Sequence, residues 1–445
     1  MTGLRTDLYE LRMAASYLRR DLTDRATFSL FVRRLPRRRG FLVAAGLDEA
    51  LAFLETFTFD CDDLAYLRDV VGFDKPTLTA LSVLRFTGDV WAVPEGRVVF
   101  ADEPLLEVTA PIAEAQLVET GLLNLLTFQT TVASKAARCR LAAGGAQLVD
   151  FAFRRTHGVA AGAGVARASA IAGFGATSHV EAARRYGLPP SGTMAHSYVE
   201  AFPDERAAFR AFAADFPADP IFLVDTYDTP AGVRAAVDVI RELGLTGPAG
   251  VRLDSGDLAA LARQTRAILD DAGLTGVRIV ASGSLDEDVI AGLVEAGAPI
   301  DAYGVGTKMG VSHDAPSLDS AYKLVAYGDR PVLKLSPGKA TLPGAKQVFR
   351  DRAGSAGDIV GLRDEPSPPG REALLVPVMR DGRRLDDVDP AGAVRAARER
   401  FDADLAWLPE SARRLADPVP LTATVSPALT ALHERVAARV GVTSS

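Results

Sequence analysis

The stretch Gly250-Val251-Arg252-Leu253-Asp254-Ser255-Gly256-Asp257 changes character at its midpoint: apolar but for Arg252 before it, small and polar after it. That is the pattern of a short buried strand delivering polar groups at its C-terminal end. The same change recurs on both sides. Ile221-Phe222-Leu223-Val224 ends at Asp225-Thr226-Tyr227-Asp228, Val277-Arg278-Ile279-Val280 at Ala281-Ser282-Gly283-Ser284, and Ile300-Asp301-Ala302-Tyr303 at Gly304-Val305-Gly306-Thr307. Upstream, Ser191-Gly192-Thr193-Met194-Ala195-His196-Ser197-Tyr198 follows Pro189 and Pro190. It reads as a strand leaving a turn, with His196 near its C-terminal end. The polar ends fall at 196, 225, 254, 282 and 304, so the gaps are 29, 29, 28 and 22 residues. One strand–helix unit takes about 30 residues, and helical stretches at 231–243, 257–272 and 285–297 fill the gaps. A sixth strand, 147–153, ends at Arg154-Arg155. Six such units predict a parallel β/α barrel with one polar rim, the rim on which catalytic groups of these barrels sit.

The chain has 445 residues, enough for two or three domains. Its apolar share of 48% and charged share of 24% are those of a water-soluble globular protein. A net charge of −7 argues against a nucleic-acid partner. The local cluster Arg33, Arg34, Arg37, Arg38 and Arg39 reads as a solvated strand end and turn. Two cysteines, Cys61 and Cys139, exclude a disulfide framework and a cysteine metal cluster, and they suit the cytoplasm. Arg5, Asp7, Glu10 and Arg12 interrupt any signal-peptide core at the N-terminus, and no run approaches the roughly 20 apolar residues of a membrane span.

Before the barrel, residues 6–18 predict a helix capped by Thr6 or Asp7, with Leu8, Leu11, Met13, Ala15 and Leu18 as its apolar stripe and Tyr9 beside it. A strand at 26–32 and a helix at 47–57 follow. Then comes a β-meander of 89–93, 97–100 and 105–109, and a helical region at 112–139 that divides into one helix or two. Residues 158–175 are rich in Gly and Ala. Gly162-Ala163-Gly164 lacks the third glycine and acidic partner of a dinucleotide fingerprint, so the segment reads as a mobile loop and a close-packed helix. After the barrel, 321–325 and 331–336 predict strands, and a Pro/Gly-rich segment holds Pro337-Gly338 and 342–347. The tail combines short strands at 372–378 with helices at 390–404 and 427–440. The expected domains are an N-terminal α+β domain at 1–125, joined by part of the C-terminal segment, a barrel at 126–340 and an extension at 341–445.

Several separated motifs together resemble the nicotinate phosphoribosyltransferase family. They are Thr6-Asp7-Leu8-Tyr9, Phe153-Arg154-Arg155, 191–197 around His196, Arg252-Leu253-Asp254-Ser255-Gly256-Asp257-Leu258, Tyr303-Gly304-Val305-Gly306-Thr307, Lys334-Leu335-Ser336, and 342–347. The resemblance runs from Thr6 to about Arg350 and is weaker beyond. It implies an α/β fold, an irregular seven-stranded β/α barrel packed with an N-terminal α+β domain. It implies transfer of phosphoribose from phosphoribosyl pyrophosphate to nicotinate, coupled to ATP hydrolysis, by a homodimer with shared active sites and with substrate-bound Mg²⁺.

The same resemblance implies the site. His196 is the phosphorylated histidine and, with Asp254, forms the catalytic pair. Arg154 faces nicotinate, with Arg155 its structural neighbour, and Tyr9 stacks on the pyridine ring from the partner subunit. Ser178, Thr193, Arg252 and Ser255 join the substrate-binding set. His179 stands where the family usually has asparagine and joins that set as a titratable departure. The residue chemistry agrees: a departing polyanion needs hydroxyls and backbone N–H groups, offered by Ser282, Gly283, Ser284, Gly304, Gly306 and Thr307. Asp254 and Asp257 suit ribose hydroxyls or a pyrophosphate-bound Mg²⁺, and Asp257 reads equally as a cap for the helix at Leu258. His157 and His313 read as solvated loop residues, and no histidine pair has metal-ligand spacing. Alternatives are a nicotinamide phosphoribosyltransferase, which needs no carboxylate-binding arginine, a quinolinate phosphoribosyltransferase, which needs a more basic pocket, and a non-catalytic sensor of nucleotide precursors, which would lack the nucleophile.

Overall fold

A computed structural model describes residues 3–245, 247–336, 340–352, 357–387 and 389–440. The chain divides into two compact units, one of Lys135–Pro316 with Pro390–Arg395, the other of Met1–Ser134, Ser317–Asp389 and Ala396–Ser445.

The first of these is built on a six-stranded parallel sheet. Its spatial order is Ala176–Thr177, Gln147–Asp150, Ala302–Val305, Arg278–Ala281, Gly250–Leu253 and Ile221–Leu223. The strands are mostly buried and largely apolar, as expected where helices cover such a sheet. Thr229–Glu242, Leu258–Asp271 and Glu287–Glu295 are the crossovers between successive strands. Each begins on an aspartate, Asp228, Asp257 or Asp286, whose side chain accepts the backbone N–H of Ala231, Ala260 or Val289. Such a cap contributes about 1 kcal/mol to its helix. The registers Leu223↔Arg252, Leu253↔Ala281, Ala281↔Tyr303 and Val305↔Asp150 end the strands level, so their polar successors share one edge.

Three expectations are corrected locally here. No strand forms at Thr193 and Met194: residues 191–195 are irregular, and only Pro190 bridges Thr177 in parallel. Two successive prolines lack backbone donors, so the ladder does not propagate. His196 instead opens a short helix, His196–Glu200. The strand expected to reach 153 stops at Asp150, because the Asp150 carboxylate accepts the Ala152 N–H at 2.8 Å and starts a turn. Phe153–Arg155 is then one 3₁₀ turn. The Gly/Ala segment is helical from Val159 to Ile171, so the expected mobile loop shrinks to a few residues. A Cβ on Gly162 would lie 2.3 Å from the Phe153 ring.

The other unit carries a seven-stranded antiparallel sheet in the order Arg330–Pro331, Ser320–Tyr327, Arg25–Val32, Pro104–Pro111, Asp89–Ala92, Val376–Arg380 and Arg383–Arg384. The expected meander is broken. Asp89–Ala92 pairs directly with Pro104–Pro111, while Val98–Val99 pairs with Leu42–Val43 in a separate ribbon. Glu95 draws the chain away, because its carboxylate accepts the Gly46 and Leu47 N–H groups. The strand expected at 331–336 ends at Pro331, since the Lys334 N–H is taken by Thr341 Oγ1 at 2.9 Å. Pro337-Gly338 lies outside the described residues. The helical region at 112–139 is two helices, Ile112–Leu117 and Glu119–Ala142.

In the first helix, Leu8–Arg19, the buried residues are Glu10, Leu11, Ala14 and Ala15, and Leu8 is exposed. Asp7 stands at the N-cap, but its carboxylate accepts the Thr120 hydroxyl at 3.0 Å and caps nothing. Arg33 and Arg34 both pair with Asp319 at 2.9 Å; Arg34 is solvated as expected, while Arg33 is largely covered.

Candidate active site

The level strand ends of the parallel sheet gather most of the expected groups. Asp225, which follows Ile221–Leu223 and Val224, anchors the next strand end: its Oδ2 accepts the Asp254 N–H at 3.0 Å and the Ser255 hydroxyl at 2.7 Å. Asp254 in turn accepts the Ser282 hydroxyl at 2.5 Å. Gly283 turns back over this chain with φ +91°, and a Cβ there would lie 1.9 Å from the Asp254 carbonyl oxygen, so only glycine fits. Three successive strand ends are thus tied edge to edge, and Ser284, also left-handed at φ 52°, extends the turn.

Arg252 sits within the strand Gly250–Leu253 and donates to the Met194 carbonyl at 2.9 Å, which fixes the irregular segment ahead of His196. Burial pushes the Arg252 guanidinium below its ordinary value; Asp254 and Asp225 oppose the shift and Arg154 adds to it. Two arginines close enough to repel across one rim create a field that an anion relieves. Arg154 and Arg155 are both exposed on their single turn, so the Arg154 fork is presented to solvent.

His196 is half-buried, and its Nδ1 lies 3.2 Å from Thr226 Oγ1. With the proton on Nδ1 donated to Thr226, Nε2 keeps its lone pair, the state a nucleophilic or basic imidazole needs. Thr193 bonds only locally, its hydroxyl donating to the Met194 carbonyl at 3.3 Å.

At the far edge of the sheet, buried Asp150 accepts the Thr177 hydroxyl at 2.8 Å, and the Ser178 N–H donates to the Asp150 carbonyl at 2.8 Å. Burial raises the Asp150 carboxyl; the bonds from Ala152 and Thr177 pull the other way. His179 is buried and stacks flat on Phe153, centroids 3.7 Å apart and planes 6° from parallel. Its place is therefore beneath the turn that carries Arg154. Gly304 packs against Phe151, where a Cβ would approach the ring to 2.5 Å; Gly306 and Thr307 complete that loop.

Asp257 takes the capping role, accepting Ala260 N–H at 3.1 Å. His157 and His313 are exposed. Tyr9 belongs to the other unit, where it is 48% exposed on its helix. Burial, with Glu119 and Glu10 adding to it, pushes its phenol upward.

Asp225, Thr226 and Asp150 were not expected among the site residues; Asp150 lay inside the strand expected at 147–153. For Asp225 and Thr226 the signal was present in the period of polar strand ends. It did not separate residues that face a ligand from those that hold their neighbours.

Residues 4–127 match the model of the nicotinate phosphoribosyltransferase N-terminal domain, and residues 146–327 match that of the nicotinate phosphoribosyltransferase family. The chain is 49% identical over 420 residues to the nicotinate phosphoribosyltransferase pncB2 of Mycobacterium tuberculosis, covering 93% of this chain and 89% of that protein. It is 44% identical over 376 residues to the nicotinate phosphoribosyltransferase of Bacillus subtilis, covering 82% and 76%. The crystal structure of human nicotinic acid phosphoribosyltransferase superposes with a TM-score of 0.86 at 30% identity, covering 97% of this chain and 99% of that one.

Proposed function

The chain belongs to the nicotinate phosphoribosyltransferase family and is an enzyme, and from that premise we propose that it makes nicotinate mononucleotide and pyrophosphate from nicotinate and 5-phosphoribosyl 1-pyrophosphate, in NAD salvage. The observation that carries this reading is the rim on which Arg154 and Arg252 stand beside the tied Asp225, Asp254 and Ser282. The nicotinate ring nitrogen attacks C1 of the ribose as the bond to pyrophosphate breaks and its electron pair leaves with the pyrophosphate. Arg154 pairs with the nicotinate carboxylate and aims the ring. Asp254 meets the ribose hydroxyls beside the developing positive charge, and the 282–284 and 304–307 loops receive phosphate. His179 acts from below, through Phe153.

Among the described residues no three His, Cys, Asp or Glu side chains converge on one point. Asp254 and Asp225 fit an Mg²⁺ ion that arrives on the pyrophosphate and keeps much of its water. Such an ion neutralises charge on the leaving group. ATP coupling is read through His196: Nε2 attacks the γ-phosphorus and ADP departs. The parallel sheet, lengthened by the Thr177–Pro190 bridge, supports a seven-stranded irregular barrel. No helix among the described residues is long and apolar enough to cross a membrane, and a chain with only two cysteines suits the cytoplasm. Product analysis with nicotinate, phosphoribosyl pyrophosphate and Mg²⁺, with and without ATP, tests the whole reading; faster turnover of nicotinamide than of nicotinate would replace the substrate.

Arg154→Lys keeps the charge and loses the two-pronged fork. Its kcat/KM for nicotinate falls by the equivalent of about 2–4 kcal/mol. An unchanged kcat/KM removes Arg154 from the carboxylate.

Exposed Tyr9 supports a homodimer in which each chain completes its neighbour's site. Tyr9→Ala and His196→Ala chains, each lacking ATP-stimulated synthesis alone, regain it when mixed, because one hybrid site carries both intact residues. Proven hybrids without activity place each site within one chain.

A further inference from the structure

We propose that Lys308 binds a phosphate group of the phosphoribosyl substrate, and that Asp286 holds it in reserve until that phosphate arrives. This deepens the proposed function and rests on it. Lys308 directly follows the Gly304-Val305-Gly306-Thr307 loop, and Asp286 lies two residues beyond the Ser282-Gly283-Ser284 turn. The strands feeding the two loops are neighbours, with Ala281 paired to Tyr303. Across that gap Lys308 Nζ meets Asp286 Oδ2 at 2.7 Å, with side chains 33% and 15% exposed. The pair parks a partly covered cation between the two loops best suited to a polyanion.

Asp286 can release Lys308 without being stranded. Its Oδ1 already accepts the Val289 N–H at 3.0 Å as a helix cap. The field of Lys135 also reaches it; Lys135 itself is buried between Glu287 at 2.5 Å and Asp314 at 2.7 Å. Arg138, bonded to Glu287 at 2.7 Å, is equally committed. Lys308 is the cation of this group with slack: a four-carbon stem, one partner and partial exposure. A phosphate dianion, with more charge and more acceptors than one carboxylate, draws the ammonium across.

The test uses full-length Lys308→Met, Lys308→Arg and Asp286→Asn, the last of which keeps the capping oxygen. KM is measured for phosphoribosyl pyrophosphate and for nicotinate, and calorimetry gives Kd for inorganic pyrophosphate and for ribose 5-phosphate separately. Lys308→Met raises KM for phosphoribosyl pyrophosphate about tenfold, the scale of one charge-assisted bond, and leaves KM for nicotinate unchanged. Lys308→Arg stays near wild type. Asp286→Asn frees the lysine and lowers the phosphate-side constants, the opposite sign. Weakened binding of pyrophosphate alone assigns the contact to the leaving group, and of ribose 5-phosphate alone to the 5-phosphate. Unchanged affinity for both in Lys308→Met overturns the proposal. So does an Asp286→Asn variant that binds as weakly as Lys308→Met, because the pair would then be structural. Should wild type make no nicotinate mononucleotide, the proposed function fails, while the pyrophosphate titrations still judge Lys308.

Discussion

His196→Ala loses ATP hydrolysis and all ATP stimulation of nicotinate mononucleotide synthesis, while a slow ATP-independent synthesis survives. The residual rate survives because Arg154, Asp254 and the 304–307 loop do not depend on the imidazole for their placement: Asp254 is tied to Asp225 and Ser282. What disappears is the phosphate carrier. A phosphate on Nε2 adds about two negative charges at this rim. It can change the reaction only through a different affinity for substrate or product in the two forms, since a ligand shifts an equilibrium by its differential binding. The expected form of that difference is tighter binding of phosphoribosyl pyrophosphate by the phosphorylated enzyme than by the free enzyme. Incubation with γ-labelled ATP leaves an acid-labile, base-stable label on wild type and none on His196→Ala. Thr226→Val, which removes the hydroxyl 3.2 Å from Nδ1, labels more slowly because the productive tautomer is no longer held. Equal labelling of His196→Ala would move the nucleophile elsewhere.

The place of His196 shows what a sequence carries and what it hides. The strand period was legible because each buried strand is a short apolar run that must end where polar groups begin; Ile221–Leu223, Gly250–Leu253, Arg278–Ala281 and Ala302–Val305 all lie within a few residues of their expected positions. The histidine's own element was misread, because Thr193 and Met194 favour a strand locally while Pro189 and Pro190 deny that strand its donors. Asp225 was visible as a polar end, but its bonds to Asp254 and Ser255 bridge 29 and 30 residues, a partnership with no local signature. The tail was least legible. Its role rests on ion pairs such as Arg97 with Asp404, 307 residues apart, and nothing near Asp404 announces an arginine that far upstream.

Asp404→Ala lowers the stability of its unit by about 3–5 kcal/mol, the cost of leaving buried charge short of a partner. Asp404 is fully buried, and its Oδ2 accepts from Arg97 Nε at 2.9 Å, the Val98 N–H at 2.8 Å and Arg350 Nη1 at 3.0 Å. Truncation leaves Arg350, itself fully buried, with Asp358 as its remaining carboxylate at 2.6 Å, and it orphans the Val98 N–H. Arg350 cannot swing out to water, because its guanidinium lies over Trp407, 4.7 Å from the ring centroid. Nor can it shed its proton, since the surrounding carboxylates outweigh burial and raise its pKa. Asp404→Asn keeps an oxygen for one donor and falls between the two. The chain's two tryptophans, Trp91 and Trp407, both lie in this unit, so urea unfolding followed by tryptophan fluorescence reports on it alone. The midpoint shifts in the order wild type, Asn, Ala. An Ala variant as stable as wild type would mean that the arginines find other acceptors, and that the tail is held by its apolar contacts.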